Sequence, residues 1–119
     1  MPVYSRQLLS ASNQGQPIVV QGTLANAGTL LHVGVNSNTA FDEVYLWITN
    51  VTNTAVQVTV QWGSFVVPAG VVANNANLAA FSGPTLLVPG LVIQNGLSVS
   101  AFCSVTNAVN VVGHINRIQ

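Results

Sequence analysis

Apolar residues recur at every second position over much of this chain, which is the period of a strand with one buried face. The clearest example is residues 56–62, where Val or Trp at positions 56, 58, 60 and 62 alternates with Gln or Thr. This alternation predicts a half-buried strand that packs one face on a core and presents a polar but uncharged second face.

Residues 42–49 form a second clear pattern, in which both faces carry large side chains. Val44, Leu46 and Ile48 fall on one face, whereas Tyr45, Trp47 and Thr49 fall on the other. The turn-forming residues 50–53 separate the two patterns and predict a β-hairpin. Because one large aromatic side chain can bury about 150–250 Å², Tyr45 and Trp47 are predicted to cover a second apolar layer or to contact another chain.

Further strands are predicted where short apolar runs lie between turn-forming residues. They are 18–24, 29–35, a short strand near 64–68, 97–105 and 108–118. Pro89-Gly90 is a predicted turn, and Asn95-Gly96 is the strongest short hairpin signal in the chain. Residues 64–84 are predicted to be a long connection with a helical turn near 76–81, and the pattern leaves open whether they add a strand.

Seven or eight short strands at this spacing, without a helical period, predict an all-β fold. The expected architecture is an antiparallel β-sandwich, most simply a jelly roll. A length of 119 residues corresponds to one domain. Residues 1–17 contain prolines, a glycine and several amides, so they are predicted to be an extended N-terminal arm, and 18–119 the single sandwich domain.

Charge is the unusual feature of the composition. Charged residues make up 3% of the chain, against about 25% in an ordinary soluble domain. Arg6 and Arg117 balance Asp42 and Glu43, so the net charge is zero. A monomer with such a surface lacks charge repulsion and tends to associate. The composition therefore favours a chain that ends in a permanent assembly, and the alternative is a monomeric domain rich in Asn and Thr.

Several classes of function are disfavoured by the same composition. Two basic residues cannot form a track for phosphates, so nucleic acid is not an expected partner. No apolar run reaches the roughly 20 residues that span a bilayer, so a membrane is not expected either. The first residues contain no long apolar segment of the kind found in secretory signals, which predicts synthesis in the cytoplasm.

The adjacent acidic residues Asp42 and Glu43 lie at the start of the 42–49 pattern, with side chains predicted on opposite faces. One interpretation is a solvated strand entrance, where charge prevents edge-to-edge pairing. The other is a salt bridge to Arg6 or Arg117, formed between subunits or with a larger shell. In a neutral contact, each such pair would fix register and orientation.

Candidate catalytic chemistry is sparse. Adjacent strand carboxylates diverge and do not form a glycosidase pair, and Cys103 lies in an apolar run that predicts a buried, inert thiol. His32, His114 and Asp42 would form a metal site only if the fold gathered them, because no metal-binding spacing is present. No enzyme activity, metal or cofactor is predicted.

Four segments taken together suggest a family. The TLLH strand, the DEVYLWITN–VTVQWG segment, VPGLVIQNGLSVSA and the terminal VVGHINRI resemble small structural proteins of tailed-phage virions that decorate or cement capsids. The resemblance covers 29–63 and 85–119. It implies a β-sandwich that forms symmetric oligomers, often trimers, on the capsid lattice. The implied partners are further copies of the chain and the major capsid protein, and the implied location is the virion surface after synthesis in the host cytoplasm.

The leading prediction is thus a capsid decoration or cement protein that stabilises the head by binding the shell as a homotrimer. The predicted interface residues are Arg6, Asp42, Glu43, Tyr45, Trp47 and Arg117, together with the N-terminal arm. An alternative is a receptor- or carbohydrate-binding β-sandwich on a tail or spike, with Tyr45, Trp47, Trp62 and the Asn-rich segment 73–77 as its platform. A third, a metal-dependent jelly-roll enzyme, requires a bound metal.

Overall fold

Nine β-strands account for the regular structure in a computed structural model that describes residues 3–24, 28–64 and 70–119. In chain order they are β1 (Tyr4–Leu8), β2 (Ile18–Val20), β3 (Thr29–Val33), β4 (Phe41–Asn50), β5 (Val56–Trp62), β6 (Val71–Leu78), β7 (Thr85–Ile93), β8 (Ser98–Cys103) and β9 (Val109–Ile118). Within those ranges no helix is long and apolar enough to cross a membrane.

The strands form two antiparallel sheets. In sheet A the order is β1-β9-β4-β7, with β2 pairing beside β1 on the same edge of β9, and in sheet B the order is β3-β8-β5-β6. The predicted all-β sandwich is confirmed, with more strands than expected because the segments 1–17 and 64–84 contribute β1 and β6. Four nested pairs organise the chain, namely β2 with β9, β3 with β8, β4 with β7 and β5 with β6. The jelly-roll winding stays a prediction.

The core lies between the two sheets and is built from the alternation seen in the sequence. Every even-numbered residue of β4 is buried, and Val56, Val58 and Val60 of β5 face it from the opposite sheet. The last strand adds Val109, Val111 and Ile115. These β-branched and leucine side chains fit the pleated surface of a sheet and exclude water from it.

The predicted β4–β5 hairpin is wrong, although both strands exist. β4 pairs with β7 and β9, while β5 pairs with β6 and β8, so residues 51–55 cross from one sheet to the other. The physical reason is that both strands carry a full apolar face, and stacking face to face buries both faces in one core. Pairing side by side would place both apolar faces on the same side of one sheet, where a further layer would have to cover them. In this fold β7 and β9 take the places beside β4 instead.

The Asn95-Gly96 turn has the predicted chemistry but not the predicted hairpin. Both residues have positive φ, 60° and 68°, as a type I′ turn requires. The Leu97 N–H donates to the Gln94 carbonyl at 3.3 Å. The turn joins β7 of sheet A to β8 of sheet B, so it is another connection that crosses between the sheets.

Other boundaries shift by smaller amounts. The predicted strands 18–24, 29–35, 97–105 and 108–118 correspond to β2, β3, β8 and β9. Pro89-Gly90 is not a turn, because β7 continues through it with a register shift against β4. The helical turn near 76–81 is wrong, since β6 pairs with β5 up to Leu78. The strand expected near 64–68 lies, apart from Ser64, outside the described residues.

The predicted polar face of β5 is partly covered. Gln57 is exposed, but Thr59 and Gln61 are buried. The Thr59 hydroxyl accepts the Asn75 N–H at 3.0 Å, and the Ser100 hydroxyl donates to the Gln61 side-chain oxygen at 3.0 Å. Neighbouring strands satisfy these uncharged groups, so their burial does not leave them unpaired.

Asn50 fixes the corner at which the chain leaves sheet A. Its side chain is 1% exposed at the end of β4. The amide nitrogen donates to the carbonyl groups of Thr54, Leu78 and Ala79 at 2.9–3.3 Å. The side-chain oxygen accepts the Thr52 N–H at 2.9 Å and its hydroxyl at 2.7 Å. One amide therefore joins the end of β4, the crossing segment and the end of β6.

Replacing Asn50 with Ala is expected to lower the free energy of unfolding by about 2–4 kcal/mol, because several buried carbonyl and N–H groups lose their partner at once. Urea denaturation followed by tryptophan fluorescence measures this loss. The control is Asn53→Ala in the same crossing, where the side chain is exposed and the change is expected to stay within about 0.5 kcal/mol. Equal effects of the two substitutions would contradict the role of Asn50.

Candidate functional site

The two acidic side chains at the start of β4 point to opposite faces of sheet A. The Asp42 side chain is 0% exposed and points into the sandwich, whereas Glu43 is half-buried on the outer face. Asp42 lies directly opposite Arg117 on β9. The Arg117 guanidinium donates from Nε to Asp42 Oδ1 at 2.8 Å and from Nη2 to Oδ2 at 3.1 Å. This bidentate geometry is the strong form of a carboxylate–guanidinium pair.

His32 completes the environment of the carboxylate. Its Nε2 lies 2.7 Å from Asp42 Oδ2, and its Nδ1 accepts the Ser10 N–H at 3.0 Å. Because Nδ1 is an acceptor, the proton of the neutral ring is on Nε2, which donates to Asp42. The same oxygen accepts the Val35 N–H at 3.1 Å. Burial raises the pKa of Asp42, but the hydrogen bonds from Arg117 and His32 outweigh it and hold the pKa below its ordinary value.

This buried cluster joins parts of the chain that are distant in sequence. His32 belongs to β3 of sheet B, Asp42 and Arg117 to sheet A, and Ser10 to the segment after β1. The Ser10 hydroxyl also accepts the Val33 N–H at 2.7 Å. We therefore interpret the cluster as a structural link between the two sheets.

The predicted salt bridge between Asp42 and Arg117 is present, but within one chain. The solvated-entrance interpretation is wrong for Asp42, because no part of its side chain meets solvent. Asp42 and Arg117 thus satisfy each other internally. The interface roles predicted for Arg6, Glu43, Tyr45 and Trp47 stay predictions, and all four belong to strands of sheet A.

We call the surface of sheet A that points away from sheet B the outer face, and strand register defines its rows. The first row is Val92, Glu43, Asn116 and Arg6, the second Pro89, Tyr45, His114 and Leu8, and the third Leu86, Trp47 and Val112. Side chains of directly paired residues lie on the same side of a sheet. The second and third rows contain no formal charge when His114 is neutral.

Three aromatic rings cluster at the centre of the outer face. Ring centroids are 4.9 Å apart for Tyr45 and His114, 5.6 Å for Trp47 and His114, and 6.4 Å for Tyr45 and Trp47. The ring planes lie within 30° of one another, and the three centroids form a triangle. Burial lowers the pKa of His114 and the positive charge of Arg6 lowers it further, which favours the neutral ring that packs with the aromatics.

Exposed apolar side chains extend this cluster toward both edges of sheet A. Five large apolar side chains on this face are more than one-third exposed. They are Tyr4 and Leu8 on β1, Val19 on β2, and Leu86 and Val92 on β7. Contiguous apolar surface of this kind marks interaction sites more often than single exposed residues do. The outer face is therefore the strongest candidate for a binding surface in the described residues.

His114 and Asn116 were not among the predicted interface residues. The alternation of residues 109–118 places both on the face opposite Val109 and Val111, but only the pairing of β9 between β4 and β1 brings them to the centre of the outer face. Strand pairing of this kind is set by the whole sheet. It has no local sequence signal.

The N-terminal segment is likewise part of this surface. Residues of β1 pair with β9 over five positions, from Tyr4 opposite Ile118 to Leu8 opposite His114. The predicted extended arm therefore contains an edge strand of its own chain. The expectation that part of this arm lies over a neighbouring subunit stays a prediction.

A concave site, separate from the outer face, lies where the two sheets meet near the start of β4. It has a volume of about 400 Å³ and is lined by Phe41, Trp62, Val92, Ile93, Gln94 and Leu97. The Trp62 indole N–H already donates to the Val92 carbonyl at 3.1 Å. Gln94 provides the only polar side chain among these residues, so the cavity suits an apolar group.

The residues proposed for a sugar platform are not brought together. Tyr45 and Trp47 lie on sheet A, Trp62 lies on sheet B and lines the cavity, and 73–77 is part of β6 at the edge of sheet B. The three residues that would have formed a metal site only if the fold gathered them are also apart, because His32 and Asp42 are inside and His114 is on the outer face. Within the described ranges, no three His, Cys, Asp or Glu side chains are placed to hold a metal ion.

Cys103 is buried, as predicted. Burial raises the pKa of its thiol, so the reactive thiolate is disfavoured at neutral pH. Its Sγ lies 2.8 Å from the Val105 carbonyl oxygen.

Comparison with known proteins adds no identification. No protein-family model matches the chain, and the search of curated proteins found no match.

Proposed function

We propose that this chain is a structural protein of a phage virion that decorates or cements the capsid as a homo-oligomer. The observation that carries the proposal is the outer face of sheet A, an apolar and aromatic surface on a chain with very few charges. Burying that face against another protein surface removes apolar area from water, which is the main source of free energy in protein association. The resemblance to tailed-phage structural proteins makes the major capsid protein the proposed partner.

The internal use of charge supports an assembled state. The buried Asp42 carboxylate pairs with Arg117, whose side chain is 23% exposed. Glu43 and Arg6 are then the two charged residues that form no ion pair in the described part of the chain. Both lie in the first row of the outer face. Two opposite charges beside an apolar surface give orientation to a contact that is otherwise neutral.

We also infer that the sheets follow jelly-roll winding. The four nested strand pairs are those expected when one long antiparallel ribbon wraps around a core. Jelly rolls occur in viral capsid proteins and in lectins, so the winding is compatible with the proposed function. It does not by itself favour a capsid over a glycan.

Oligomerisation would multiply weak contacts with a shell. A trimer, which the resemblance implies, presents three equal surfaces to a symmetric lattice. Binding of the first subunit raises the effective concentration of the others at their sites. Individually weak contacts of this kind can then hold the protein on the capsid.

Light scattering after size exclusion, followed by co-sedimentation with expanded capsids, tests the proposal. We expect a homo-oligomer that sediments with the capsids, and Trp47→Ser is expected to reduce capsid binding at least tenfold, because the aromatic cluster loses its largest ring. Val105→Ser is the control, since Val105 is an exposed apolar residue outside the strands. A stable monomer that does not bind capsids would overturn the proposal.

A receptor- or glycan-binding function is the second candidate. The aromatic cluster lies beside the Asn116 amide and the charges of Glu43 and Arg6, and sugars are bound by aromatic rings together with such polar groups. A glycan-array signal that disappears in Trp47→Ser but persists in Val105→Ser would support this function. No signal on the array would argue against it.

A further inference from the structure

We propose that the outer face of sheet A binds a second copy of this chain face to face, across a two-fold axis that runs along β9. The inference deepens the proposed function, on which it rests, by naming the contact between copies of the chain. It makes that contact a two-fold dimer in place of the trimer that the resemblance implies, so the paired outer faces meet each other and the capsid is bound by the remaining surface of the dimer. The contact between copies does not itself require a capsid.

The positions of the two surface charges carry the inference. Asn116 of β9 is paired with Arg6 of β1 on one side and with Glu43 of β4 on the other. The Arg6 Nε is 3.5 Å from the Asn116 side-chain oxygen. Adjacent strands are about 4.8 Å apart, so the backbones that carry the two opposite charges lie about 10 Å from each other, on either side of β9. Among the described residues neither forms a salt bridge within the chain.

A two-fold rotation about β9 makes this arrangement self-complementary. The rotation keeps positions along β9 and exchanges its two sides, so Glu43 of each copy lies over Arg6 of the other. Both ion pairs then form at once, as an isologous interface requires. Sheets that pack in this aligned manner are about 10 Å apart and their strands cross at small angles.

The apolar rows match under the same rotation. Tyr45 of one copy faces Leu8 of the other, because the two flank His114 in the second row. His114 lies on the axis and meets its own copy, and the lowered pKa of its ring keeps this contact uncharged. The rotation thus buries the aromatic cluster without opposing two like charges.

The area of the face is of the order that a dimer needs. An axis along β9 places β4 of one copy over β1 of the other, and β7 extends beyond the edge of the facing sheet. Three strands about 4.8 Å apart and about 30 Å long give a flat area of about 430 Å², and side-chain relief increases the surface that is buried. Stable interfaces bury about 800 Å² on each partner, so the overlapping strands supply roughly half of that area before side-chain relief is counted.

Charge reversal tests the pairing by sedimentation velocity over a wide range of protein concentration. We expect the unmodified protein to dimerise, and Glu43→Arg or Arg6→Glu alone to weaken dimerisation at least tenfold, since each places like charges opposite each other twice. Mixing the two single variants is expected to restore a dimer, because the heterodimer regains both ion pairs. The double variant Arg6→Glu with Glu43→Arg is expected to restore it as well.

Two controls make the result specific. Far-UV circular dichroism and urea midpoints establish that each variant is folded. A mixture of Gln57→Arg and Gln57→Glu, changed at an exposed position of sheet B, measures attraction between oppositely charged chains in general, and no added dimer is expected from it.

Three results would overturn the inference. The first is a protein that stays monomeric at every concentration, and the second is an oligomer that neither charge reversal weakens. The third is a dimer restored by the double variant but not by mixing the single variants, which would place the ion pair within one chain. An insensitive oligomer that still binds capsids would leave the proposed function standing and remove only this contact. A monomer that does not bind capsids would remove both.

Discussion

Replacing Asp42 with Asn is expected to lower the free energy of unfolding by about 3 kcal/mol, the lower end for breaking a buried ion pair, because the Arg117 guanidinium loses its carboxylate partner but is itself 23% exposed. The carboxylate accepts two hydrogen bonds from Arg117, one from His32 and one from the Val35 N–H. Small domains are stable by only about 5–15 kcal/mol in total. Urea denaturation with fluorescence detection is the measurement, and Asp42→Asn should unfold at a much lower denaturant concentration than the unmodified chain.

Glu43→Gln is the matched control, since it removes the adjacent carboxylate by the same chemical change. Glu43 is on the outer face and forms no ion pair in the described part of the chain, so its effect is expected to stay within about 0.5 kcal/mol. The comparison is made in dilute protein, where self-association does not contribute. Equal losses for the two variants would contradict a structural role specific to Asp42.

Acid provides an independent readout of the same carboxylate. The pKa of Asp42 is lowered in the folded state from an ordinary value of 3.8. As the pH falls, the Asp42 carboxylate of the unfolded chain therefore takes up its proton before that of the folded chain. The contribution of ionised Asp42 to the free energy of unfolding is present above pH 3.8 and is lost as the pH falls through the lower pKa of the folded state. Asp42→Asn should lack this part of the acid dependence, whereas Glu43→Gln should retain it.

The alternation of apolar residues predicts β4, β5 and β9 because burial of one face leaves a direct trace in the sequence, whereas β1 and β6 lack that trace and are not predicted as strands. It does not predict which strands pair. Residues 44–48 and 56–60 have the pattern of two neighbours in a hairpin, yet they stack across the core in different sheets. A face that is apolar throughout is compatible with both arrangements, and the choice depends on strands that lie far away in sequence, such as β7 and β9.

The sequence predicts part of the candidate site, because it shows which side chains lie opposite the core but not which strands lie side by side. Tyr45 and Trp47 were singled out because they are large side chains on the face opposite the core. His114, Asn116 and Leu8 join them only through the pairing of β9 with β4 and β1. Arg117 was one of two predicted salt-bridge partners, but the bridge was expected between subunits or with a larger shell, and in the structure Asp42 and Arg117 pair within one chain. Sequence alone could not place both side chains on the inner face of sheet A.

The sequence pattern places Gly113 on the inner face of the last strand but does not show how closely β4 packs against it. Gly113 falls between Val111 and Ile115, where it reads as a gap in an apolar row. In the structure it lies opposite Leu46 in the β4–β9 pair, which is ten residues long. A Cβ at this position would overlap the backbone carbonyl of Tyr45 and lie 3.3 Å from the Leu46 Cα.

Gly113→Ala is therefore expected to lower the free energy of unfolding by about 3 kcal/mol or more, at the upper end for overpacking, because backbone atoms cannot rotate away as a side chain can. To make room, β9 must move from β4, and this separation would disturb the central pair of sheet A together with the aromatic cluster above it. Thermal and urea unfolding measure the loss. Gly83→Ala is the matched control, since a Cβ there would meet no atom within 4 Å, and it is expected to be neutral or slightly stabilising through the unfolded chain. A Gly113→Ala protein as stable as Gly83→Ala would show that β4 and β9 separate at little cost, and the tight pairing inferred for the centre of sheet A would then be wrong.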